Sequence, residues 1–178
     1  MIHLITCTSK PLRLMAKIVF LLCITAGTGL ADNTVKLQVA AKSDHDDPKD
    51  TTVPTEVQKR WLEISANAFH LEKPSAVRLE WTLFGDSLDA DKVVKQDSGE
   101  TVFDMKQGAV VDTRTKQVTF TFSRRHSVPE GSGKRHRYKV VEATGVRYHG
   151  WSVRAYIDGK IAGETYSSPN LKKHLNNP

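Results

Sequence analysis

Eight to ten short stretches alternate apolar and polar residues, Gly, Pro and Asp clusters separate them, and no convincing long helix interrupts the series. Those three observations predict an all-β chain whose antiparallel strands close as a two-sheet sandwich of the immunoglobulin-like kind, with a small barrel as the other closure. At 178 residues the chain is one domain in size.

The first 31 residues read as a leader rather than as part of that domain. An apolar run over 18–26 is too short to span a bilayer; Lys10, Arg13 and Lys17 precede it, and small residues ending at Gly29 and Ala31 follow. This is the pattern of a secretory signal peptide cleaved after Ala31, with Met15 a plausible true start. The other reading is an uncleaved anchor. Bulky Leu22 before Cys23 spoils a lipoprotein signal. The expected division is therefore a signal peptide over 1–31, a β-sandwich over 32–170 and a flexible tail over 171–178.

The leader contains both cysteines, Cys7 and Cys23, so the remaining chain of about 147 residues has none. Thiol nucleophiles, iron–sulfur clusters and cysteine zinc sites are excluded there, and the core alone must hold the fold together. The leader also carries three of the 26 Lys and Arg and none of the 20 Asp and Glu, leaving 23 against 20, a net charge of +3. So modest a charge gives no reason to expect nucleic acid as a partner.

The first strand is expected over 34–40, where Val35, Leu37 and Val39 alternate with Thr34, Lys36 and Gln38. The span 42–54, rich in Asp and carrying Pro48 and Pro54, reads as a mobile loop. Over 56–69 two periods compete. Val57, Trp61, Ile64 and Ala68 fit a helix, while Leu62, Ile64 and Ala66 fit a strand, which the neighbouring strands and the turn at 72–75 favour. Val77, Leu79, Trp81 and Leu83 then alternate strictly with Arg78, Glu80, Thr82 and Phe84, the pattern of a central strand.

An acidic loop over 85–91 leads to short strands at 92–96 and 100–105, divided by a turn at Asp97, Ser98 and Gly99. Further strands are expected at 109–113, at 118–123 with Val118, Phe120 and Phe122 on one face, and at 138–143 after a long loop over 124–137. The last pair is a hairpin. Trp151, Val153, Ala155 and Ile157 alternate with Ser152, Arg154 and Tyr156, Asp158 and Gly159 make the turn, and 160–166 returns, one register setting Arg154 opposite Glu164. The indoles of Trp61, Trp81 and Trp151 are expected between the sheets. Beyond Ser168 the chain reads as one helical turn at most and a frayed end.

Catalytic signatures are absent: the sequence has no H-E-x-x-H, no G-x-S-x-G and no phosphate- or dinucleotide-binding glycine loop. No catalytic residue, cofactor or metal is expected. Asp86, Asp89 and Asp91, and likewise Asp44, Asp46, Asp47 and Asp50 around His45, are close enough in sequence to share a hard cation. Neither group has the spacing of a calcium loop, and solvated loops that keep strand edges soluble explain both. The 124–139 region offers a positive patch if its flanks pair: Arg124, Arg125, His126, Lys134, Arg135, His136, Arg137 and Lys139 would then converge on an anionic polymer. Tyr148 and Tyr156 in the last hairpin are candidates to stack on sugar rings, against the commoner fate of core packing.

The pattern G-x-x-Y-x-G-W-x-V-R-x-Y-x-D-G-K-x-x-x-x-x-x-S from Gly145 to Ser167, with Leu79-Glu80-Trp81-Thr82-Leu83-Phe84-Gly85 before it, resembles a set of uncharacterised exported bacterial β-sandwich proteins. The resemblance implies fold and export, and brings no catalytic residues. The sequence thus points to a non-enzymatic binding or structural module, secreted or periplasmic, without a membrane span once the leader is removed. Its partner is expected to be an envelope protein or an acidic polysaccharide. The alternative is a carbohydrate or anionic-polymer binder using Arg124, Arg125, Lys134, Arg135, Arg137, Tyr148 and Tyr156. A third reading, a hydrolase assembled from loops, requires carboxylates, or a Ser and a His, converging in one cleft.

Overall fold

Among the described residues ten strands follow one another from Val35 to Tyr166, every pairing among them antiparallel, and a 3-10 turn and a single helical turn come after them. The computed structural model describes residues 34–46, 55–131 and 137–175, all within one compact unit, Ala31–Pro178. The expected leader, Asp47 and Asp50, the basic tip with Lys134, Arg135 and His136, and the last three residues lie outside the described residues.

Strand β1 (Val35–Asp46) pairs along its whole length with β2 (Thr55–Ala68). Beside β2, two strands lie end to end: β5 (Val110–Arg114) against its last residues and β6 (Val118–Ser123) against its first. A second group runs β4 (Lys92–Met105), β3 (Ser75–Ser87), β9 (Thr144–Ile157) and β10 (Lys160–Tyr166). The long β9 joins the groups, because Thr144 and Gly145 pair with β6 and the rest pairs with β3. Strands β7 (His126–Glu130) and β8 (Arg137–Val141) form a separate two-stranded ribbon.

One core lies between the two groups. Leu62, Ile64, Ala66 and Phe120 from the first meet Val77, Leu79, Leu83, Val153, Ala155 and Ile157 from the second, all nearly inaccessible. Each strand delivers alternate residues to this core because its pleat turns every second side chain to the same face. A Leu or Val buried there stabilises the fold by about 1.5–3 kcal/mol.

Over the 56–69 segment the chain is strand as far as Ala68, longer than its apolar signature because its first residues are paired despite their polarity. Strand β1 likewise runs to Asp46, through part of the span expected as a loop, since β2 offers Lys59, Gln58 and Val57 as partners to Asp44, His45 and Asp46. The expected break at 97–99 is no turn. Strand β4 is continuous; a bulge beside Leu83 and Phe84 shifts its register, and Gly99 lies opposite Trp81 with the indole against it. A glycine that reads as a turn signal marks a close approach instead.

The last hairpin has the expected strands and turn, with positive φ at both Asp158 (51°) and Gly159 (77°), as a type I′ turn requires, and a bulge between Ile161 and Gly163 then sets Glu164 opposite Arg154, one of the registers open to the sequence. Glu164 nevertheless takes its hydrogen bonds elsewhere. Lys172 Nζ donates to it at 2.5 Å and the Tyr166 hydroxyl at 2.6 Å, while Arg154 Nε donates to Tyr166 at 3.4 Å.

Of the three indoles, Trp81 belongs to the core and Trp151 packs partly against it. Trp61 does not, because it precedes Leu62 and the pleat sends it to the opposite face, where the Arg114 guanidinium lies 4.5 Å over its ring. Phe84, expected to face solvent, is fully buried. It pairs with Gly150, and above Gly150 the fully buried Leu171 packs so closely that a Cβ there would meet its Cδ1 at 2.8 Å. After Ser168 the chain forms the 3-10 turn Pro169–Leu171 and helix α1 (Lys172–Leu175), the one helical turn the sequence allows.

Candidate functional site

Strand β2 carries an anomaly. Glu56, Gln58 and Arg60 occupy alternate positions in phase with Leu62, Ile64 and Ala66, so the pleat aims them at the interior. Their β6 partners are Phe122, Phe120 and Val118. At this end of the fold the interior is therefore polar. Arg60 Nη2 donates to Gln58 at 3.3 Å, and its guanidinium lies 4.7 Å over the Tyr148 ring, which meets Phe120 edge-on at 5.4 Å. Burial raises the Tyr148 pKa above the ordinary phenol value, and the Arg60 charge pulls it partly back.

A cavity of about 460 Å³ opens beside this cluster, lined by Gln58, Leu88, Phe122, Arg124, Arg125 and Arg147 among others. Two segments bring the arginines together: the link that follows β6, and the start of β9, which reaches the same edge because Thr144 pairs with Ser123. Gly145 makes that crossing possible. Its φ is 91°, its N–H donates to Asp89 Oδ2 at 3.0 Å, and its carbonyl accepts from the Leu88 N–H at 2.9 Å.

Each arginine has a carboxylate partner. Arg124 is paired with Glu56, Arg125 with Glu142 at 3.4 Å, and Arg147 with Asp86 at 3.2 Å, an oxygen of Asp86 also lying 2.6 Å from His149 Nδ1. The arginine side chains of these pairs are all more than half exposed. Pairs of this kind contribute about 0–1 kcal/mol, so an entering anion can exchange for them at little cost. Chemically the cavity offers guanidinium forks suited to carboxylate, sulfate or phosphate oxygens over a floor made partly of Phe122 and Leu88.

Of the residues singled out from sequence, Arg124 and Arg125 line this cavity. Arg137 lies on the β7–β8 ribbon opposite Glu130, Lys139 opposite Val128, and Tyr138 is exposed beside them. Tyr148 is drawn into the polar end of the interior. Tyr156 lies on the outer face of β9 with the Arg78 guanidinium 4.7 Å over its ring. Arg78 also bonds Glu80 and, at 3.2 Å, Glu100, and the bond to Glu100 raises its pKa. The two tyrosines are thus apart, each covered by an arginine. Glu56, Gln58, Arg60 and Arg147 were not singled out. The first three are legible as polar residues in phase with a core face once 56–69 is accepted as a strand, whereas Arg147 has no local signal.

Asp86 and Asp89 serve the ion pairs and the β9 crossing described above. Among the described residues no three His, Cys, Asp or Glu side chains gather as a metal-binding group, and no helix is long and apolar enough to cross a membrane. No protein-family model matches the chain, and no curated protein matches it. Among solved structures it is similar to a protein from Akkermansia muciniphila, at 14% identity over 82% of this chain and 77% of that one, with a TM-score of 0.41. It is also similar to a Bordetella pertussis protein provisionally named ApaA, at 10% identity over 76% of this chain and 90% of that one, with a TM-score of 0.39.

Proposed function

We propose that this protein is an exported, non-catalytic binding module of the bacterial cell envelope, an immunoglobulin-like sandwich that holds acidic groups of a polysaccharide at one end. The observation that carries the reading is the convergence of Arg124, Arg125 and Arg147 on one cavity. Their exposed, exchangeable ion pairs suit reversible capture of carboxylate or sulfate better than a permanent structural role. Support for the sandwich comes from the single core shared by the two strand groups, and support for export from the leader pattern in the sequence.

The test is retention of the purified protein on heparin and pectin resins, with chitin and neutral glucan as controls. Retention on the acidic resins should be lost at high salt and in the Arg124→Ala, Arg125→Ala, Arg147→Ala triple variant. Passage through both acidic resins at low salt would overturn the reading and leave an envelope protein as the partner to seek by cross-linking.

A further inference from the structure

Close to the arginine cavity, strand β9 carries one residue more than its partner β3. Phe84 stands opposite Gly150 and Gly85 opposite Tyr148, so His149 has no opposite residue and forms a bulge. A bulge re-aims the side chain of its extra residue. Here the imidazole meets Asp86, whose carboxylate serves two bases at once. Its Oδ1 lies 2.6 Å from His149 Nδ1, and its Oδ2 accepts from Arg147 Nη2 at 3.2 Å. Asp86 is the least exposed of the three side chains.

We infer that His149 is the pH switch of the arginine cavity: once protonated it takes over the Asp86 carboxylate, frees Arg147 for a ligand and leaves the cluster with a surplus positive charge. The inference rests on the cavity's holding acidic polymer, as proposed above. With His149 neutral, the charges of Arg124, Arg125 and Arg147 are cancelled by Glu56, Glu142 and Asp86, so an anion gains a guanidinium only by displacing a carboxylate. Protonation changes that balance by one full charge. The imidazolium satisfies Asp86 through a charge-assisted bond, and Arg147, which lines the cavity, turns to the ligand without stranding a carboxylate. Histidine is the side chain that ordinarily gains its charge between pH 5 and 8, a range over which sulfate groups stay ionised.

The other charged groups on the elements around the bulge are engaged elsewhere or are cations. Asp89 accepts from the Gly145 N–H, and Lys92 and Lys95 stand on β4 opposite Ser87 and Phe84. From the C-terminal turns the apolar Leu171 packs on Gly150, while Lys172 is held by Glu164. Arg60 lies over the Tyr148 ring. Asp86 is thus the carboxylate on which the imidazole acts. His126, by contrast, faces the Arg124 carbonyl oxygen at 2.9 Å rather than a carboxylate.

The experiment is calorimetric titration of the full chain with heparin at pH 8 and pH 5.5, at one constant ionic strength. Binding should be about threefold to tenfold tighter at pH 5.5, the effect of one added charge beside a partly solvated site. His149→Gln should lose most of that gain, and His126→Gln should keep most of it. Asp86→Asn, which leaves Arg147 without its carboxylate, should bind more tightly than the parent at pH 8. Equal binding by the parent at both pH values, a gain that survives His149→Gln, or an Asp86→Asn variant no tighter than the parent at pH 8 would each overturn the switch and leave the cavity as a binding site. Failure of the parent to bind heparin at either pH would overturn the cavity reading itself, and the switch with it.

Discussion

Replacing Gly99 with alanine tests the packing of β4 against the core. A Cβ at Gly99 would lie 2.6 Å from Trp81 Cζ2, 2.8 Å from Cε2 and 3.0 Å from Nε1, where carbon atoms normally rest about 3.5–4.0 Å apart. The overlap is with a rigid indole in the core, which has no flexible end to yield. Overpacking of this kind costs about 1–3 kcal/mol. Lower entropy of the unfolded chain returns about 0.4–1 kcal/mol, because Gly99 lies outside the positive-φ region and alanine meets no backbone strain there. The net expectation is a loss of about 1–2 kcal/mol.

Denaturant unfolding of Gly99→Ala, Trp81→Leu and the double variant, followed by circular dichroism, closes a mutant cycle with the parent. With the indole gone the alanine has room, so Gly99→Ala should become neutral or mildly stabilising in the Trp81→Leu background. The coupling should then be at least about 1 kcal/mol. An equal cost in both backgrounds, as a strained turn glycine would give, would refute the argument.

Leu171→Ala should cost about 2–5 kcal/mol in the same unfolding assay, the loss of a fully buried leucine; a cost near zero would mean that the C-terminal turns do not pack on β9 at Gly150. The Glu164 carboxyl is held below its ordinary pKa, first by Lys172 and then by the Tyr166 hydroxyl. Its contribution to stability is therefore present above the unfolded carboxylate pKa and is lost as pH falls through the folded one. The thermal midpoint of Glu164→Gln should fall below that of the parent at neutral pH and converge with it in acid; a constant gap at all pH values would exclude the ion pair as the cause. Tyr148, held neutral by burial, has the opposite sign: its contribution is complete at neutral pH and is lost as pH rises through its raised pKa. A Tyr148→Phe variant should thus lose less stability than the parent between neutral and strongly alkaline pH, as read by unfolding midpoints.

Local physics accounts for what the sequence by itself determined. Period-two alternation at Val77–Leu83 and Val153–Ile157 needs only the pleat to become a core face, and Asp158-Gly159 needs only its own φ values to become a hairpin. The all-β class and the turn of the last hairpin follow from such signals, whereas its register does not, because a bulge between Ile161 and Gly163 sets it. Tertiary structure decided the rest, because the determining partner lies far along the chain. Gly99 reads as a turn until Trp81 is placed over it, and Gly150 gives no local sign that the buried Leu171 packs on it. Polar Glu56, Gln58 and Arg60 have no apolar signal of their own and are strand because β6 pairs with all three and β1 with Gln58 and Arg60. The arginine cavity depends on the crossing at Gly145, which brings Arg147 beside Arg124 and Arg125 from more than twenty residues away. Alternation tells which face a side chain takes; what covers that face is set by strands that only folding brings together.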